Sequence, residues 1–313
     1  MSIKPFLIPT LLLIIFLSAC TPGASTTPVP SQAVATDMEQ DTALPVETTT
    51  VTLTVKPEDT VVPTPAPEDW KSLPIVPEGV SDAMKEVYQR GLADGHFADR
   101  FSKFGDCLNN PTYFLSSFDD GTYQLGEEYA YLQETIDYFA GSWSRVSIAS
   151  KGGMNVAAVQ TLYYTNPEFC KSSESPMVCE IRVNNPSIVL ISYSEWWADK
   201  PTAGFEERLR AVVDYVLSQN VVPILGTKAD NYEGDDSINT AIARIAFDYQ
   251  LPLWNFWAAT YPLPLHLLSD EFDLTFSQNI FDDPIRMESG WPWRNLTALQ
   301  TIDAVYRSLN ELP

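Results

Sequence analysis

Histidine is nearly absent from this chain: His96 and His266 are the two in 313 residues. That scarcity argues against a histidine-rich zinc site, since zinc needs several imidazole or thiolate ligands close together. It also leaves few general bases suited to neutral pH. Basic residues are few as well, 19 Lys and Arg against 41 Asp and Glu, for a formal net charge of −22. A surface of that sign repels phosphate backbones and anionic headgroups, which excludes nucleic-acid binding. Glycine-rich phosphate loops are missing too, and Gly152-Gly153 by itself matches no dinucleotide or P-loop pattern. The acidic stretch "KADNYEGDD", with Asp230, Glu233, Asp235 and Asp236, lacks the spacing of a calcium loop and reads as a helix-capping turn. No cofactor and no metal is expected.

What is present begins with targeting signals. Met1 to Lys4 is short and basic, and Phe6 to Phe16 is almost continuously apolar. This run is too short for a comfortable membrane span and has the charge order of a secretory signal. Leu17-Ser18-Ala19-Cys20 looks like a bacterial lipobox, so residues 1–20 read as a lipoprotein signal peptide with Cys20 as the lipidated residue. The expected location is extracytoplasmic, on the bacterial cell membrane or envelope and held there by lipid without spanning it. Residues 21–75 are rich in Thr, Pro, Val, Ala and Glu, as in "TTPVP" and "VVPTPAPED". They carry too little apolar surface to offset the entropy of ordering, and read as a disordered tether. Folding should begin near Trp70, with residues 76–313 as one domain expected to act as a monomer.

The four cysteines divide by role. Cys20 belongs to the lipobox. Cys170 and Cys179 bracket the polar stretch "KSSESPMV", and outside the cell such a pair is most simply a disulfide. Cys107 is then a thiol outside any disulfide, in an exported protein, and that demands an explanation.

From Ser81 onward the chain alternates helix and strand. "SDAMKEVYQRGL" has helical spacing with Ser81 as cap. Phe101–Gly105 reads as a strand, Leu125–Phe139 as a helix, and "RVSIAS" (Arg145–Ser150) as a second strand followed by a helix to about Tyr164. "PSIVLISYS" is apolar almost throughout, as in a strand covered on both faces. Helices over Phe205–Leu217, Ser237–Tyr249 and Asn295–Leu309 flank two more strands, "VVPILGT" and "LPLWNF". This alternation predicts an α/β fold, a three-layer α/β/α sandwich around a five-stranded parallel sheet of flavodoxin-like type. Ligands in such folds sit beyond the carboxyl ends of the strands.

Those strand ends carry a family resemblance. "FSKFGDC" after the first strand, glycine after the second, a polar loop after the third and "SDEFDLT" before the last helix resemble the SGNH/GDSL hydrolases over nearly all of Ser81–Pro313. The resemblance implies a nucleophile in a Gly-Asp-Ser turn and an oxyanion hole completed by a glycine N–H and an asparagine side chain. An Asp-x-x-His stretch would supply the base. Members of this family hydrolyse esters, often on carbohydrates or lipids, without a metal.

Matched position by position, the chain departs from that pattern. Gly105 and Asp106 agree, but Cys107 stands in the nucleophile's place. Gly152 or Gly153 supplies the glycine, Ser194 takes the place of the oxyanion asparagine, Asp270 keeps the first aspartate and Asp273 replaces the histidine. A thiol for a hydroxyl is survivable. A carboxylate for an imidazole is not: an acceptor of pKa ~4 facing a thiol of ~8.5 is roughly 6 kcal/mol uphill. Asp106, Asp270 and Asp273 should also push the thiol upward.

The expected function is therefore a membrane-anchored, catalytically degenerate SGNH-like lipoprotein that binds a small-molecule, glycan or acyl ligand. Trp196, Trp197 and Trp254 are expected at the pocket rim, where aromatic rings stack on ligands as readily as they pack. Two alternatives stand beside it. One is an active thiol esterase in which His266 serves Cys107, and the other is a purely structural envelope protein.

Overall fold

The structure is a computed structural model that describes residues 67–194, 196 and 201–312. The signal peptide with Cys20, the tether up to residue 66, and Trp197 lie outside the described residues. Chain packing is already established before residue 76. Trp70, in a 3-10 turn over Pro67–Ser72, is buried edge-on against Trp257 at 4.9 Å. Its indole N–H donates to Thr240 Oγ1 at 3.0 Å, and its carbonyl accepts from Asn255 Nδ2 at 2.8 Å.

Helix α1 (Asp82–Ala93) starts where expected, with the Ser81 hydroxyl accepting from the Met84 N–H. Strand β1 (Phe97–Gly105) follows; its last five residues are buried where the chain enters the sheet. The short elements α2 (Ser117–Asp120), β2 (Tyr123–Gln124) and α3 (Gln133–Tyr138) come next, then α4 (Pro176–Asn184) and the wholly buried β3 (Pro186–Ser192). The chain continues through α5 (Thr202–Ser218), β4 (Val222–Gly226), α6 (Ser237–Asp248), β5 (Leu253–Trp254), α7 (Phe256–Thr260), β6 (Asn279–Ile280) and α8 (Gly290–Leu309).

The molecule is an α/β fold with a parallel four-stranded sheet in the order β1-β3-β4-β5, plus a two-stranded parallel pair β2-β6. The register sets Gly105 beside Ser192 and Gly226 beside Trp254, so the carboxyl ends of all four strands come together. Helices α5 and α6 pack on each other and on β4, while α1 and α8 touch each other and the sheet.

The expected strand Arg145–Ser150 forms no ladder. It reaches β1 only through the bridge between Gly105 and Ser150. The cause is local: the Ile148 N–H donates to the Glu180 carboxylate, Arg145 pairs with the same carboxylate, and Ser150 N–H turns back to the Ser147 carbonyl. Backbone groups taken by a side chain and a turn are lost to a sheet.

Two expected helices also shrink. Over Leu125–Phe139, Gly126 at φ +71° directs the chain out of helical geometry, leaving one 3-10 turn and α3. The stretch to Tyr164 holds two separate 3-10 turns, parted by Thr161 in extended conformation. Conversely, α4 forms at the end of a stretch that looked like a polar loop. It begins with Pro176 at its first position, a placement that costs no hydrogen bond. The Cys170–Cys179 disulfide links the segment before it to the helix.

Candidate functional site

The turn after β1 is built around a close approach. A side chain on Gly105 would come within 2.0 Å of Asn109 Nδ2 and 2.5 Å of the Ser192 carbonyl, so only glycine fits. Asp106, fully buried, then caps the 3-10 turn Cys107–Asn109 by accepting from the Leu108 N–H at 3.0 Å. This presents Cys107 at the surface of the fold, beyond the strand end.

Cys107 opens into a cavity of about 270 Å³. Its apolar wall is Leu108, Trp196, Tyr232 and Phe272; its polar groups are Asn155, Ser194 and Asp230. Gly152 lies beside Cys107: a methyl group added there would sit 3.8 Å from the Cys107 Cβ. Gly153, at φ +76°, faces Tyr164 instead and accepts from its hydroxyl at 3.2 Å. Of the two glycines, Gly152 is the one that lies beside Cys107.

Ser194 is engaged inward. Its backbone N–H and its hydroxyl both donate to Asp106 Oδ2, at 2.6 and 2.8 Å. The hydroxyl hydrogen that an oxyanion would require is committed to a carboxylate. Asn155, which sequence reasoning missed, also lines the cavity; its Oδ1 accepts from the Ala157 and Ala158 N–H groups at 3.1 and 3.0 Å. That capping role fixes the side chain and leaves its amide nitrogen as the donor end.

Beneath the turn lies a group the sequence reading did not single out. Arg294 of α8 is 1% exposed, donating through Nη2 to Asn109 Oδ1 at 2.7 Å and to Ser192 Oγ at 3.1 Å, and through Nε to the Leu108 carbonyl at 3.3 Å. The rings of Phe114, Trp254 and Phe256 surround its guanidinium at 4.8 to 5.2 Å. Burial lowers its pKa to about 10, against the attraction of Asp106, Cys107 and Asp230. It remains a cation at neutral pH, adding to the thiol's surroundings a field opposite to that of the carboxylates. A lone arginine within "GWPWRNL" was the available signal: among so many aromatic residues a cation is either exposed or held deliberately.

Asp230 is the carboxylate that reaches the cavity. It pairs with buried Lys228 at 2.7 Å, and Lys228 also bonds Glu233 at 2.5 Å. Burial raises the Asp230 pKa, with the lysine partly opposing that shift. The stretch read as a helix-capping turn is thus anchored by an internal cation.

Asp270 and Asp273 do not line the cavity; from their stretch only Phe272 does. The Asp270 carboxylate accepts from the Phe272 and Asp273 N–H groups at 2.9 and 2.7 Å, and these bonds lower its pKa. Asp273 is exposed, and desolvation, then Asp270, raises its pKa. His266 is likewise absent from the lining: its ring stacks on Tyr261 at 5.2 Å, which itself stacks on Trp257 at 4.1 Å. The other imidazole, His96, is bound at the opposite ends of the strands, between Asn185 Oδ1 at 2.6 Å and the Gln219 carbonyl at 2.7 Å.

The expected aromatic rim also changes. Trp196 lines the cavity and packs edge-on against Phe205 at 5.7 Å. Trp254 is fully buried, its indole N–H donating to Thr297 Oγ1 at 3.0 Å, because β5 turns it onto the Arg294 guanidinium instead of toward the opening. Among the described residues no group of three or more His, Cys, Asp and Glu is arranged to hold a metal ion. No helix among them is long and apolar enough to cross a membrane. No protein-family model matches the chain, and no curated protein matches it significantly.

Proposed function

We propose that this chain is an SGNH/GDSL hydrolase-like domain of three-layer type, lipid-anchored through Cys20 outside the bacterial membrane, in which the Cys107 cavity binds a ligand without hydrolysing it. The observation that carries this reading is the commitment of the Ser194 hydroxyl to Asp106, which takes the hydrogen expected to serve an oxyanion. Among the described lining residues Asp230 is the carboxylate, and it is paired with Lys228. The two histidines bond or stack elsewhere.

The cavity is small, with four apolar walls and few polar groups, which suits a short acyl chain or a single sugar ring better than an extended polymer. Among the described lining residues Asp230 is the charged one, which favours an uncharged ligand over an anionic one.

The test is hydrolysis of p-nitrophenyl acetate by the purified protein. The expected rate equals that of Cys107→Ala. Turnover well above that variant would overturn the reading in favour of a thiol esterase.

A further inference from the structure

A second groove, of about 470 Å³, shares no lining residue with the Cys107 cavity. Its two banks are the segment from Thr112 to Gln124 and the segment from Phe276 to Ile280, tied together by the β2-β6 pairing of Tyr123 with Asn279 and Gln124 with Ile280.

The groove presents two exposed aromatic rings, set edge to face, above a rigid polar floor. Tyr113 is 50% exposed and Phe276 65% exposed, with ring centroids 5.4 Å apart, and Tyr113 lies 5.5 Å from the buried Trp291. Neighbouring exposed rings rimmed by polar groups make a contiguous apolar patch, a surface feature that marks binding sites. Below them Asn295 accepts from the Leu115 N–H at 2.8 Å and donates to the Tyr113 carbonyl at 2.9 Å and to Asn279 Oδ1 at 3.0 Å. Asn279 in turn donates to Ser117 Oγ at 2.7 Å. This buried network fixes the loop that carries Tyr113, so the ring pair is preorganised.

The rest of the lining selects the ligand. Around the rings stand hydroxyls and amides, among them Thr112, Ser116, Ser277 and Gln278, and the one charged residue among the described lining is Asp120. Among the described lining residues no lysine or arginine stands ready to meet a phosphate, sulfate or carboxylate. The occupant must offer flat C–H faces to aromatic rings and neutral hydroxyl or amide groups at its edges. A pyranose ring has both properties. We propose that this groove binds an uncharged oligosaccharide, with Tyr113 and Phe276 each offering a ring face or edge to the sugar. The proposal is independent of the reading of the Cys107 cavity.

The test is calorimetric titration of the purified full chain with cellohexaose, xylohexaose, mannohexaose and chitohexaose, with oligogalacturonate as an anionic control. At least one neutral probe should bind and the anionic one should not. Tyr113→Ala and Phe276→Ala should each weaken binding about tenfold or more. Gln278→Ala, at an exposed position that leaves the ring pair intact, should weaken it less, and Trp196→Ala not at all. The proposal is overturned if no neutral probe binds with a Kd below about 10 mM, if the anionic probe binds as well, or if binding survives loss of both rings. Binding abolished by Trp196→Ala alone would move the sugar to the Cys107 cavity, sinking the groove while supporting that cavity as a binding site.

Discussion

Ser194 and Asp106 are joined twice, backbone N–H and side-chain hydroxyl both donating to one carboxylate oxygen at 2.6 and 2.8 Å. A third bond, from the Leu108 N–H, reaches the other oxygen of Asp106. The pair is a strut between the turn after β1 and the loop after β3, and it holds the floor of the Cys107 cavity. The hydroxyl expected from the sequence to serve an oxyanion is part of the scaffold.

Asp106→Ala should therefore destabilise the fold by roughly 2–4 kcal/mol, because it orphans buried donors of two loops at once. Asp106→Asn should fall between the wild type and Ala, since an amide oxygen still accepts. Ser194→Ala, losing one bond, should cost about 1 kcal/mol. Denaturant midpoints measure all three. A loss below about 0.5 kcal/mol for Asp106→Ala, the ordinary range of surface substitutions, would show that the strut carries no stability.

The placement of Phe272 makes a prediction about introducing a base. Since Phe272 and not Asp273 lines the cavity, an imidazole belongs at position 272. Phe272→His combined with Cys107→Ser should raise hydrolysis of p-nitrophenyl acetate at least about tenfold over Cys107→Ser alone, a modest share of what a positioned base contributes. If Asp273→His performs better in the same background, the cavity lining has been misassigned.

Arg294 should tune the thiol. Its buried cation interacts with Cys107, so it favours the thiolate. Arg294→Met should slow alkylation of Cys107 by iodoacetamide at neutral pH severalfold. It should also lower stability by about 3 kcal/mol or more, as Asn109 Oδ1 and the Leu108 carbonyl lose a buried donor. Circular dichroism establishes that the variant is folded before rates are compared. An unchanged alkylation rate in folded protein would mean that the charge does not reach the sulfur.

Lys103 predicts a pH dependence. It is buried in β1, donates to the Trp143 carbonyl at 2.5 Å, and burial lowers its pKa from 10.5 to about 7. Because the folded-state value is the lower one, the unfolded chain holds more protons between these two values. Stability from this group accordingly rises with pH from about 7 upward and is least below 7. Lys103→Met should remove that slope. Equal slopes for the two proteins from pH 7 to 9, measured by urea denaturation, would contradict the assignment.

Much of the scaffold was legible because its signals are local. The capping Ser81, the unbroken apolar run of β3 and the spacing of α5, α6 and α8 each declare an element within a dozen residues. The errors lie where a distant group intervened. Arg145–Ser150 alternates like a strand, yet Glu180, more than thirty residues away, takes the N–H that a ladder would have used. The Gly105-Asp106-Cys107 turn could be recognised as a site, but its neighbours could not be enumerated from spacing, since Arg294, Asn155 and Asp230 reach it from three separate segments.

By itself the sequence determined the α/β alternation, the strand-end turn that presents Cys107, the Cys170–Cys179 pairing and the shortage of imidazole. Each follows from short-range steric preference, apolar periodicity or composition. Tertiary structure alone decided which groups face the thiol. Folding turned Ser194 into Asp106, carried His266 onto Tyr261, drew Trp254 over Arg294 and left Phe272 at the cavity wall. The direction of a side chain depends on what the whole core leaves for it to bond or cover, and that is not written in its neighbours along the chain.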